Sequence, residues 1–435
     1  MRPKKLAPLT LVVALVLVAV GCGSSGSPPP TTLHVLMTDD WVTAPFLDAV
    51  RDFERVHDNV RVVVDKGPIR LQTDTVRAGI SAGSPPDVVQ GHAFSAASQG
   101  LAQPVDDLWQ AHLDPAEFFP GAIEDVTWDG QRFGVPLDTN AMVLMYNVDH
   151  FRQAGLPDPQ PSMSMDDFAR IAAALSTPDG SRRAIAIPTS GWWTYGWIRA
   201  NGGEVVDVAP DGTTTVTLDA PPVVSALGFL AGLINARDAF PPRGSDSHSE
   251  DAFALFASGV ASMHTSGSWD IASIKKNNVA INYGTTLMPA VLGGGTAMGG
   301  SSTWIPAGSK HRELAFDFMT HLASDRYALR FAMEEGRLPV RLRVFDDPFF
   351  QDRDLKVFLE QLKTAHPQLL SAFPIATNDY DVAIDSILRV NGRDPAVALR
   401  EAQVHAEANL AAGTQAAEAQ VQAEAAPARA AAPPR

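Results

Sequence analysis

From Thr31 to Gln90 the sequence alternates short apolar runs with amphipathic stretches of helical period, and this alternation restricts the fold more than any other feature. "TTLHVLM" (31–37), "VRVVVDK" (60–66) and "PDVVQ" (86–90) read as buried strands. Between them, "APFLDAVRDFERVH" places Phe46, Val50, Phe53 and Val56 on one helical side, and "IRLQTDTVRAGISAG" reads as a helix ended by Gly83. Strands and helices in that order make a mostly parallel sheet, an α/β fold. Such sheets bind ligands in the loops at the carboxyl ends of their strands. Here those loops are "TDDW" at Thr38 to Trp41 and "GHAFS" at Gly91 to Ser95. A chain of 435 residues exceeds one ordinary core, so two lobes are expected.

The first 21 residues form a different material. Arg2, Lys4 and Lys5 precede an apolar run from Leu11 to Val20, the layout of a secretory signal and too short for a comfortable membrane span. Cys22 is the one cysteine, so the chain forms no internal disulfide. "AVGC" followed by "GSSGSPPPTT" looks like a bacterial lipobox with a flexible tether over 22–32, although Ala19 stands where Leu is most common. Lipidation of Cys22 would anchor the protein outside the cytoplasm on the cell membrane without spanning it; the alternative is an ordinary cleaved signal with a spectator thiol. Loss of residues 1–21 removes three positive charges and no negative ones, taking the formal charge from −15 to −18. With no basic stripe, that excess argues against nucleic acid as a partner.

A second region opens near "MVLMYNVDHFRQAGL", followed by the helix "SMDDFARIAAAL" with Ser164 as its cap and Asp167 in its first turn. Next comes "SGWWTYGWIRANGG", where Trp192, Trp193, Tyr195 and Trp197 fall within six residues. Trp193 and Trp197 are four apart and suit one buried helix face, which leaves two rings for another use. Flat rings in a cleft make a ligand platform. The glycine-rich "GGGTAMGGSSTWIP" lacks the Lys-Ser/Thr of a phosphate loop, so its glycines suit backbone crossing between lobes or approaching a ligand. No His-x-x-x-His occurs, His92 and His264 read as loop or core histidines, and neither a metal nor another cofactor is expected. Gly-x-Ser-x-Gly is absent. Asp39, Asp40, Asp138 and Asp270 lie in or beside loops expected at a cleft, where paired carboxylates suit either glycoside hydrolysis or hydrogen bonding to sugar hydroxyls. Residues 413–435 are rich in Ala, Glu, Gln and Pro without an apolar period, and read as a disordered or frayed tail.

Five stretches, beginning "SPPDVVQG", "WDGQRFGVP", "FASGVASM", "GGSSTWIP" and "GRLPVR", together resemble the extracellular solute-binding proteins of ABC sugar importers, of the maltose-binding type. "SPPDVVQGHAFSAASQGLAQPVDDLW" resembles the family's Pro-Asp-Val strand and Gly-x-Leu-x-Pro-Leu/Val-Asp, with Ala102 in place of Leu. "WDGQRFGVPLDTNAMVLMYNVDHFRQAGLPDPQPSMSMDDFARIA" is similar to its Asp-Gly-x-x-Tyr/Phe-Gly-x-Pro, Tyr-Asn-x-Asp and Ala-Gly-Leu segment, with Met145 and Met165 where aromatics are usual. "FASGVASMHTSGSW" resembles Phe-x-x-Gly-x-Ala-Met…Gly-x-Trp, and "GGSSTWIPAGSKHRELAFDFMTHLAS" with "GRLPVR" resembles the family's close. The resemblance runs from Leu33 to about Ala412.

It implies a periplasmic-binding-protein-like fold of two α/β lobes joined by crossover hinge segments. The first lobe would hold 33–144 and 300–323, the second 150–290 and 328–412. Ligand would lie between lobes that close by hinge motion before docking on a permease, in a monomer without catalytic activity. Trp269 matches a position that stacks on sugar, and one or two of Trp192, Trp193, Tyr195 and Trp197 would face pyranose rings. Trp41 and Phe94 would form the opposite wall. Asp39, Asp40, His92, Asp138, Asn140 and Asp270 would meet hydroxyls, and Gly300 and Ser301 would offer backbone amides. A di- or oligosaccharide, an amino sugar and a choline-bearing glycerophosphodiester all suit this composition. An anionic phosphorylated sugar would need a cation, for which Lys66, Arg70 and Arg343 are candidates. A secreted glycan hydrolase using two of the aspartates is the rival reading.

Overall fold

The computed structural model describes residues 29–67, 69–188, 191–208, 214–242, 249–389 and 391–410. The signal segment, Cys22, most of the tether and the tail at 413–435 lie outside the described residues.

The first sheet runs Val60–Lys66, Thr31–Met37, Val88–Gly91, Thr296–Trp304, with Ala365–His366 beside the last strand's start. Thr31–Met37 is parallel to both of its neighbours, with Val35 opposite Val64 and Val88. Leu33, Val35 and Met37 are fully buried on one face and Leu36 is 5% exposed on the other, while His34 is exposed, so the second face is covered only toward the strand's carboxyl end. The glycine-rich stretch is the long strand Thr296–Trp304, antiparallel to Val88–Gly91 and to Gly134–Ala141. Helix Ala44–Val56 buries Phe46, Ala49, Val50 and Phe53 at helical spacing. Val56, expected on the same side, is 58% exposed because the helix ends there and the chain turns away at His57.

The second sheet runs Ala239–Phe240, Arg183–Ala186, Ala261–Ser266, Val143–Asn147, Tyr283–Thr286. Helix Met165–Leu175 starts in a capping box: the Ser164 side chain accepts from the Asp167 backbone while the Asp167 carboxylate accepts from the Ser164 backbone. Two segments cross between the sheets. Gly134–Ala141 leads through Met142 into Val143–Asn147, and the chain returns from Tyr283–Thr286 to Thr296–Trp304.

The boundary expected at 328 needs correction. Helix Asp325–Glu335 packs on the first lobe: Phe331 meets the edge of Trp41 at 5.1 Å, and the Tyr327 hydroxyl donates to Asp52 at 2.6 Å. Phe345 and Phe350 continue that core, with Phe345 at 5.4 Å from Phe119. Only from Leu370 onward do buried residues such as Tyr380, Ile384 and Leu399 join the second core. The apolar spacing of this segment reported burial without naming the partner sheet.

Candidate ligand-binding cleft

The turn after the first strand carries Thr38, Asp40 and Trp41 to one wall of a cleft of about 410 Å³. Gln90 enters from the end of Val88–Gly91, and the paired crossing strands supply Asp138, Asn140, Gly300 and Ser301. Trp269 faces them from the start of helix Ser268–Lys276 in the second lobe, and Glu335 and Arg337 complete the lining. Gly300 sits at φ +109°, where a side chain is strained, and a Cβ there would lie 2.4 Å from the Asp138 carbonyl oxygen. Glycine thus lets the crossing strands close up beside the cleft.

Arg337 organises the charge. Its guanidinium lies 4.1 Å from the centroid of the Trp41 ring and donates to the Asp40 carboxylate at 2.8 Å and to Glu335 at 3.0 Å, with Asp138 at 3.8 Å. Burial drives the Asp138 carboxyl up to about 6, against the opposing pull of Arg337 and the hydrogen bond from Ser301 at 2.8 Å. Partial burial pushes Asp40 the same way, but hydrogen bonds from Thr38 and Arg337 and the Arg337 charge outweigh it and hold Asp40 below its ordinary value. Glu335 Oε1 is buried with no hydrogen-bond partner. Asn140 is buried and spent on the hinge: its amide donates to Ser268 Oγ at 2.8 Å and its carbonyl accepts from the Ser268 backbone at 3.1 Å. Ser268 Oγ in turn donates to the Gly336 carbonyl, so one hydroxyl ties a crossing strand, the Trp269 helix and the Arg337 segment together.

The structure divides the aromatic cluster. Trp192 is half-buried, donates to the Met298 carbonyl at 2.9 Å and stands 5.8 Å from Trp269. Trp193 backs both, at 4.8 Å from Trp192 and 6.2 Å from Trp269, and is 7% exposed. Tyr195 and Trp197 are core: the Tyr195 hydroxyl donates to Glu204 and to the Pro367 carbonyl, and Trp197 packs on Phe168 and Phe229.

Four other expected contacts do not line the cleft. Phe94 is 1% exposed, a core residue. His92 pairs with Asp125 at 2.6 Å; burial pulls its pKa down, but the charge and hydrogen bond of Asp125, with the charge of Asp138, carry it above the usual value. Asp39 is exposed beside the cleft. Asp270 turns into the second lobe, accepting from Ser266 and sharing a 2.8 Å hydrogen bond with His264. Among the candidate cations, Arg343 pairs with Asp325 and Glu117 at the surface, Lys66 lines a separate groove, and the side chain of Arg70 lies outside those described. The sequence reading missed Gln90, Glu335 and Arg337, and named Thr38 only as the start of the "TDDW" loop. Arg337 stood in the quoted "GRLPVR", where its charge was the available signal. Among the described residues no group of three or more His, Cys, Asp or Glu could hold a metal ion, and no helix is long and apolar enough to cross a membrane.

A family model for bacterial extracellular solute-binding proteins matches residues 48–356. The chain is 26% identical over 300 residues to the sn-glycerol-3-phosphate-binding periplasmic protein UgpB of Brucella melitensis, covering 63% of this chain and 66% of that protein, just under two thirds of its length. Its fold resembles that of the sugar-binding protein MalE from Xanthomonas citri, with a TM-score of 0.75 at 22% identity over 89% of this chain and 99% of that one. It also resembles UgpB from Mycobacterium tuberculosis in complex with glycerophosphocholine, with a TM-score of 0.75 at 21% identity over 89% and 100%. The two lobes with their crossing strands therefore form a MalE-like substrate-binding fold, and the family match extends over most of the sequence. The chain belongs to the bacterial extracellular solute-binding proteins.

Proposed function

We propose that this protein captures a neutral carbohydrate or an amino sugar between its lobes and delivers it to the permease of an ABC importer, acting as a monomer held at the membrane by a lipid on Cys22. One observation carries the choice of solute: Arg337, the cation lining the cleft, is already engaged by Asp40, Glu335 and, at longer range, Asp138. A phosphate dianion entering there would meet more carboxylate than free guanidinium, a net repulsion. Hydroxyl and ammonium groups find acceptors at the Asp40 carboxylate and at the hydroxyl oxygens of Thr38 and Ser301, whose own protons go to Gln90 and Asp138. Trp269 would cover the apolar face of a sugar ring, with Trp192 beside it. Asp40, Trp41, Asp138, Asn140, Gly300 and Ser301 are the proposed first-lobe and hinge contacts.

Two alternatives have an observation behind them. Arg337 beside Trp41 would also suit a glycerophosphodiester, with phosphate on the guanidinium and choline on Trp269; the Mycobacterium tuberculosis neighbour is described with glycerophosphocholine. The opposite displacements of Asp138 and Asp40 are what a two-carboxylate glycosidase uses. Thermal shift of the chain from Gly23 onward against neutral sugars, amino sugars, sn-glycerol 3-phosphate and glycerophosphocholine separates the readings, with calorimetry on each hit and chromatography for products. Stabilisation by a sugar without turnover supports the proposal. Stabilisation by phosphate-bearing solutes alone, or product formation, refutes it.

A further inference from the structure

Gly267 precedes helix Ser268–Lys276 with φ −92° and ψ 179°, an extended backbone that any residue adopts. Ser, Asn or Asp at this N-cap position would add a hydrogen bond to the helix, and Gly adds none. Its reason for being glycine therefore lies in space. A Cβ on Gly267 would fall 2.1 Å from Cζ3, 2.4 Å from Cη2 and 2.5 Å from Cε3 of the Trp269 indole. The ring occupies the volume that a side chain at 267 would take. To reach ordinary contact with a methyl there it must retreat by about 1 Å or more.

The directions of retreat are few. Trp193 stands edge-on at 6.2 Å and is buried, and Trp192 stands at 5.8 Å with its indole N–H anchored on the Met298 carbonyl. The open side is the cleft, which Trp269 already lines. Because the atoms in conflict belong to the far end of a side chain, a ring swing relieves them without backbone movement.

We infer that Gly267 is a specificity-determining residue: by leaving room for the Trp269 ring against the backbone it keeps the cleft open to its full length, and a larger residue there would turn the indole inward and restrict capture to smaller solutes. This deepens the proposed sugar-binding reading and rests on it for the ligand, while the placement of the ring stands independently.

The test uses the full chain labelled with 5-fluorotryptophan and observed by ¹⁹F NMR, with Trp269→Phe assigning the resonance. In Gly267→Ala the Trp269 resonance should move in the ligand-free protein, with those of distant tryptophans unchanged. Calorimetry with glucose, glucosamine, maltose and maltotriose should show the longest sugar bound losing at least tenfold in affinity and the shortest less than threefold. In a Trp269→Ala background the 267 substitution should have no further effect. An unmoved resonance, or an equal loss in that background, overturns the inference. If the wild-type protein binds none of these sugars, the functional proposal falls while the resonance still decides where the ring lies. Should Gly267→Ala fail to fold, recovery of folding on adding Trp269→Ala supports the inference, and failure of the double variant overturns it.

Discussion

Replacing Asp138 by Asn should stabilise the ligand-free protein at alkaline pH while weakening ligand capture. Burial raises this carboxyl from 3.8 to about 6, despite Arg337 and Ser301 pulling the other way. The unfolded chain therefore releases the proton near pH 4 and the folded chain near pH 6. Between those values unfolding releases a proton, so stability falls as pH rises; the contribution is complete below about pH 4 and lost above about pH 6. A displacement of about two units corresponds to about 3 kcal/mol. Asn resembles the protonated acid in shape, and its carbonyl still accepts from Ser301, so the variant escapes this cost. With an unfolding entropy of roughly 2 cal/mol/K per residue in a chain of this size, the gain is about 3 °C in melting temperature. Calorimetric melting of both proteins from pH 4 to pH 8 is the assay. The difference should be small at pH 4 and grow to its full size by pH 7. A difference independent of pH, or a variant less stable than wild type at pH 8, would refute the reasoning.

Gly300→Ala should lower stability by roughly 3 kcal/mol or more, since a side chain there is strained at φ +109° and strikes the Asp138 carbonyl; urea unfolding measures it. Trp197→Ala should cost about 3 to 5 kcal/mol by emptying core volume, whereas Trp192→Ala should cost less and instead weaken ligand binding in calorimetry. Ser268→Ala leaves the Asn140 amide and the Gly336 carbonyl without their shared partner, and should destabilise by about 1 to 3 kcal/mol in thermal melts.

The elements of the fold were legible because their signals are local. The run at Thr31–Met37, the period of Ala44–Val56 and the Ser164–Asp167 cap each declare themselves within one or two turns. The cleft was legible only where it uses strand ends and the "GSW" turn. Helix Gly191–Ala200 is buried on nearly every side, so its apolar period could not say which ring stays open. Asp270 follows Trp269 directly and therefore points elsewhere from the helix start, into the His264 network. Arg337 and Asp40 are 297 positions apart, and their pairing is a product of tertiary closure that no spacing rule encodes.

The central position of Thr296–Trp304 also orders events in time. This strand pairs with both Val88–Gly91 and Gly134–Ala141, so the first sheet lacks its middle until more than 150 residues after Gly134–Ala141 have been synthesised. The second core likewise awaits Tyr380, Ile384 and Leu399. Pairings of such long sequence separation are slow to form. A nascent chain of this topology completes neither core until nearly the whole of it has been made, so its folding depends on late pairings between distant segments.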